Sequence, residues 1–436
     1  MANPFLVSDI RPGASGSKPQ NLTAFNNGIA FSAEDSYGNQ EPWFSDGTAI
    51  GTFKLNEINP NGASLPSNFT SVGEQLFFAA DDGSNGRELW VGTANENSSF
   101  LVADLRPGAN SSLPRDLTPF NGMLYFTADN GDGRKLYSSD GETVNAHLTD
   151  LTLHSDSELT VFRNHLVFVA ESSNDGRSLY RWNGNSQKGK KVYDSYPDDN
   201  RNHSTIDSLT VVGKKLFFTA STYELNTELY VTKGSSRSTK LVKDINSISG
   251  GSNPMDLVAV GQELYFSADD GLNGRNLWRT NGKPNKTKMV SDIYEGGTAN
   301  VDHITNVDGI LYFAASSLDQ SGNPIYRELW KHDPSSGSTS LVKDIHPTSG
   351  SILYNETFTA ANSTLVFCAN DGTSGLELWK SDGTDTGTTL VSDLFPGTTG
   401  SAPTEPVMAG EKIFFSANPG SGLGGHELYA INVLDL

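Results

Sequence analysis

The chain has 436 residues, a hydrophobic content of 36%, 44 glycines and a formal net charge of −20. That charge argues against nucleic acid or an anionic membrane as partner, because both are bound through clustered Lys and Arg. The single cysteine, Cys368, excludes an intrachain disulfide, and the lack of a long apolar run excludes membrane insertion by a helix.

In chain order, the first predicted element is a strand from Phe5 to Ile10. A tripeptide Phe-x-Ala then recurs nine times, at Phe31, Phe78, Phe126, Phe168, Phe218, Phe266, Phe313, Phe367 and Phe415. The steps between these residues are 47, 48, 42, 50, 48, 47, 54 and 48, a period close to that of propeller blades. The third unit shows the parts. Asp116 to Phe120 and Met123 to Ala128 flank Asn121-Gly122, which suits the positive φ angles of a type I′ hairpin turn. A polar loop, Asp129 to Arg134, leads to a third strand at Lys135-Leu136-Tyr137. A fourth strand carries a Leu-Val-x-Asp pattern, as at Leu241 to Ile245, Leu341 to Ile345 and Leu390 to Leu394. Four antiparallel strands make one blade.

With the strands named a to d, the chain begins on a d strand and ends on a, b and c strands, up to Tyr429. The spacing therefore predicts an all-β fold. It is a single closed propeller of nine four-stranded blades over residues 1–436, with units beginning near 5, 53, 100, 145, 191, 240, 288, 340 and 389. The amino-terminal strand completes the last blade and removes its open edge. An eight-bladed ring, with the fourth or the seventh unit splayed outside it, is the alternative. The third-strand aromatics, from Trp43 and Trp90 to Trp379 and Tyr429, read as blade-to-blade packing, and Cys368 reads as a small buried side chain.

Glu377-Leu378-Trp379-Lys380-Ser381-Asp382-Gly383-Thr384, Glu328-Leu329-Trp330 and Trp43-Phe44-Ser45-Asp46-Gly47-Thr48 resemble the bacterial ELWxxDGT-repeat family. The resemblance covers the whole chain, although only the eighth unit carries the full signature. It implies a propeller-like module of secreted or surface proteins without an established enzymatic activity. The turn Ser381 to Thr388 also resembles the Asp-box hairpins of sialidase propellers, which are structural turns.

Two polar motifs are expected on one face. The first is an acid at the end of each d strand: Asp9, Glu57, Asp104, Asp150, Asp194, Asp244, Asp292, Asp344 and Asp393. These are expected to cap backbone N–H groups or to pair with Arg87, Arg134, Arg177, Arg275 or Arg327. The second is the b-to-c loop, where Asp81, Asp82, Asn85, Asp129, Asp132, Asp269, Asp270 and Asn273 are candidate calcium ligands, since calcium takes six to eight oxygens from such groups. The spacing does not match an EF-hand loop. The eight histidines show no zinc-ligand spacing, and no catalytic cluster stands out. Asn-x-Ser/Thr triplets such as Asn21, Asn68 and Asn355 carry no weight in a chain rich in these residues.

The sequence reading is thus a non-enzymatic binding or structural propeller, calcium-stabilised, with a polysaccharide or a surface protein as partner. It is placed outside the cell, on a cell surface or on a virion, by a route that does not use an amino-terminal signal peptide. The alternative is a carbohydrate-active hydrolase or lyase using acids at the channel mouth. The largest departures from the repeat, Tyr193 to Arg201 and Ser316 to Arg327, are where a partner-specific contact is expected.

Overall fold

The computed structural model describes residues 3–13, 15–154, 157–172, 175–195, 205–222, 225–248, 250–295, 297–319, 321–354, 356–420 and 425–436. It is an all-β nine-bladed propeller built from nine antiparallel sheets. Blade 2 is representative, with strands Ser67–Val72, Gln75–Asp81, Arg87–Gly92 and Phe100–Ala103. The local chemistry is legible in blade 3. Asn121 and Gly122 take φ angles of 52° and 77°, so Phe120 pairs with Met123 directly across the turn.

The fourth and seventh units both form blades. In blade 4 the inner strand is split into Leu151–Leu153 and Thr160–Phe162, which both pair with His165–Ser172. Closure follows the expected route, with Phe5–Ser8 pairing antiparallel to Glu427–Asn432 and Phe5 opposite Ala430. The edge of the last blade is thereby covered.

Each repeated Phe is fully buried, and third-strand aromatics lie directly opposite, as in Phe78 with Trp90 and Phe126 with Tyr137. The Phe126 and Tyr137 rings stack at 5.6 Å. Cys368 is buried too, with its thiol 3.2 Å from the Pro403 carbonyl.

Contacts group the chain into two compact units, one of Met1–Thr149, Val366–Ser381 and Thr389–Leu436, the other of Asp150–Leu365 and Asp382–Thr388. Within each, the core lies between successive blades. In the first, Phe77 and Leu89 of blade 2 pack on Leu124 and Phe126 of blade 3. In the second, Tyr265 and Leu277 of blade 6 pack on Leu311 and Phe313 of blade 7.

Candidate functional site

The start of strand a holds a device that the sequence did not announce. Pairing slips by a bulge between Gln20 and Thr23, between Ser67 and Thr70, and between Arg115 and Thr118. The bulged residues Asn21, Asn68 and Asp116 sit at φ 57°, 58° and 54°, and the residues three positions earlier, Lys18, Leu65 and Leu113, at 49°, 49° and 51°. Non-glycine residues rarely adopt these angles. Here the bulge turns a polar side chain toward the neighbouring blade. Asn68 Nδ2 donates to the Pro114 carbonyl at 3.2 Å, and Glu405 Oε2 accepts from the Leu22 amide at 2.9 Å. In the second unit Glu158 accepts from the Ser208 and Leu209 amides. Inner strands of successive blades are laced together through these groups.

A second device is the Glu that precedes Leu in strand c. Glu88 is fully buried and accepts from the Leu105 amide and from the amide and hydroxyl of Ser112, all on the crossover to blade 3. Glu328 does the same with Ile345 and Ser351, and Glu377 with Phe395 and Ser401. Burial pushes the carboxyls of Glu41, Glu328 and Glu427 up to about 7, against the opposing pull of their donors. Burial raises Glu88, Glu228 and Glu377 as well.

The neighbouring Arg reaches the other way. Arg87 donates to the Leu65 carbonyl at 2.6 Å and to the Ser67 hydroxyl; Arg134 donates to the Leu113 carbonyl at 2.9 Å, and Arg275 to that of Asn253 at 2.9 Å. The expected pairing of these arginines with the d-strand acids is therefore corrected. Their partners are carbonyls that the positive-φ backbone turns toward them. Of the acids, Glu57 binds Lys54, Asp194 binds Lys191, and Asp104 accepts from the Gly108 amide.

The candidate calcium ligands lie in the b-to-c loops, as expected, and their oxygens serve the turns themselves. Asp81 accepts from the Gly83 amide, and Asp82 from the amides of Ser84 and Asn85 and from Asn85 Nδ2. Asp269, Asp270 and Asn273 repeat this pattern. In blade 3, Asp129 accepts from the Gly131 amide, and the Asp132 amide donates to Asn130. Burial raises the carboxyls of Asp82 and Asp270, but the donors outweigh it and hold both below the usual carboxylate range. Among the described residues no three His, Cys, Asp or Glu side chains are grouped to hold a metal ion. The Asp46 and Asp382 turns are likewise self-contained, each carboxylate accepting from the amide and hydroxyl of the Thr two residues on.

Two polar clusters stand apart. In the second unit, the expected departure Ser316 to Arg327 forms an extended hairpin of Ile310–Leu318 and Pro324–Asp333. Arg327 at its end pairs with Asp302, donates to the Ile352 carbonyl at 2.9 Å and lies 3.0 Å from His303 Nδ1, while its guanidinium sits 4.2 Å from the Tyr354 ring centre. Arg327 thus ties the blade 7 hairpin to the crossover that leads to blade 8 and acts as a clamp. Residues 196–201 of the other departure, and Asn355, lie outside the described residues.

In the first unit, Ser67, Asn68, Arg87, Leu113, Pro114, Arg115 and Asp116 line a cleft of about 380 Å³, at the small end of the range for ligand pockets. Arg115 is exposed, and its guanidinium makes no hydrogen bond or ion pair with any described residue. Burial lowers the Arg87 and Arg134 pKa values, and the Arg115 charge adds to the lowering in both. Arg115 therefore repels both guanidinium groups where the bulge strands of blades 2 and 3 begin, while Asp81 attracts Arg87 and Asp116 and Asp129 attract Arg134. Sequence reading missed Arg115 because nothing in the repeat marks it.

No protein-family model matches the chain, and no curated protein does. Solved structures do. A puromycin hydrolase mutant complexed with PGG aligns at TM-score 0.42 and 12% identity, over 84% of this chain and 60% of that one. A prolyl endopeptidase aligns at 0.43 and 10%, over 81% and 54%, and oligopeptidase B from Leishmania major at 0.43 and 10%, over 83% and 53%. This chain thus spans little more than half the length of the structures it resembles. These likenesses bear on the fold alone.

The expectation of a non-enzymatic extracellular, cell-surface or virion-associated module, with a carbohydrate-active enzyme as the alternative, is corrected by these matches, which are peptidases and a puromycin hydrolase. It had rested on the evenness of the repeat, and evenness describes a scaffold without fixing the chemistry it takes part in.

Proposed function

We propose that this propeller recognises an anionic group in the cleft of blades 2 and 3, with Arg115 as the contact residue and Arg87 and Arg134 as its supporting charges. The observation that carries this is a free, exposed guanidinium held beside two partly desolvated ones, in a chain of net charge −20. An oxyanion accepts paired N–H donors from such a fork and relieves the mutual repulsion. Long polyanions are disfavoured by the field of the whole chain, so the group is a small one.

Ligand-observed NMR, of the acetate methyl proton signal and of the phosphorus signal of inorganic phosphate, at fixed ionic strength, tests the reading. Line broadening is expected with the native protein and is expected to vanish in Arg115→Ala. Equal broadening in the two proteins would overturn it.

A further inference from the structure

We infer that the anion is the terminal carboxylate of a peptide. This rests on the anion-site reading above and adds the ligand class.

The wall around Arg115 carries the inference. Asn68 has its Nδ2 committed to the Pro114 carbonyl, which leaves Oδ1 to accept a peptide N–H. Leu113 is 40% exposed and offers an apolar surface to the residue that bears the carboxylate, over the buried Pro114. A guanidinium fork, an amide oxygen and an apolar step are the three groups that a chain terminus presents partners for: carboxylate, N–H and side chain. Phosphate uses only the first.

The test is isothermal titration of the native protein with N-acetylated trialanine as the free acid, the same peptide amidated, and inorganic phosphate. The free acid is expected to bind at least about tenfold tighter than the amide, as loss of a charge-assisted hydrogen bond implies, and tighter than phosphate. In Arg115→Ala the preference for the free acid disappears. In Arg115→Lys, which keeps the charge and loses the fork, the preference shrinks without vanishing. The Arg115 guanidinium makes no hydrogen bond or ion pair with any described residue, so both variants are expected to melt like the native protein. Equal binding of acid and amide, or phosphate binding in place of the acid, would overturn the peptide inference and leave the anion site standing. No binding of acetate, phosphate or either peptide would remove both.

Discussion

Truncating Glu88 to alanine leaves three donors without an acceptor, the Leu105 amide and the amide and hydroxyl of Ser112. Each buried unsatisfied group costs roughly 1–3 kcal/mol, so Glu88→Ala is expected to lower unfolding stability by about 3 kcal/mol or more in urea denaturation. A loss under 1 kcal/mol would show that the clamp is dispensable. Phe126→Ala is expected to cost about 3–5 kcal/mol through the cavity it leaves. The contrast shows what the sequence could tell. The Phe positions were legible because an apolar side chain repeated at a fixed period can serve only a core. The clamp was not, because the acid just past strand d recurs in every unit and looked like the structural one, whereas the strand-c Glu is replaced by Lys135, Ser178 and Asn276 in blades 3, 4 and 6. Only the buried position of Glu88 in strand c separates the two. The bulge was hidden for a related reason: Leu65 and Leu113 are side chains that no turn rule places at positive φ.

At the level of elements, the b-to-c loop and the outgoing crossover are pressed together with no room to spare. A Cβ on Gly86, whose φ is 66°, would stand 2.7 Å from the Asn110 backbone. Gly86→Ala is therefore expected to destabilise the protein through both strain and clash, and more than Gly73→Ala, where φ is 61° and nothing lies within 4 Å. Equal melting temperatures for the two variants would refute the close approach. The hairpins were readable in advance because Asn-Gly carries its own geometry. The polar loops invited a metal reading because Asp, Asn and Gly are shared by ion sites and by self-capped turns; the hydrogen bonds of Asp82 and Asp270 show the second use.

For the whole molecule, the buried glutamates couple stability to pH. The Glu328 carboxyl is near 7 in the fold against 4.5 as reference. Between these values the folded state keeps a proton that the unfolded chain releases, so stability is greatest below about 4.5, falls as pH rises through this window and levels off above 7. Burial lowers His147, His332 and His426, which works in the opposite sense below 6.5, so the cleanest readout is a difference. Relative to the native protein, Glu328→Gln is expected to gain up to about 3 kcal/mol between pH 5 and pH 8. A pH-independent difference would show Glu328 to be ionised throughout. Removal of residues 1–11 takes away the strand paired with Glu427–Asn432 and is expected to cause aggregation or a sharply lower melting temperature. An unchanged melting temperature would refute closure by this strand.

The glutamate clamps are not present in every blade. Strand c of blade 3 carries Lys135 where others carry Glu, and its amine donates to the Thr149 carbonyl, at 3.3 Å, in place of a carboxylate that accepts backbone amides. Blade 6 carries Asn276, which accepts one amide, from Ile293, at 3.3 Å. Amide exchange with deuterium should reveal these substitutions as seams. Ser112, Ser351 and Ser401, held by carboxylates, are expected to exchange slowly, and the Thr149 and Ile293 stretches to exchange first. The molecule would then breathe at chosen joints, set by a single side chain in each blade.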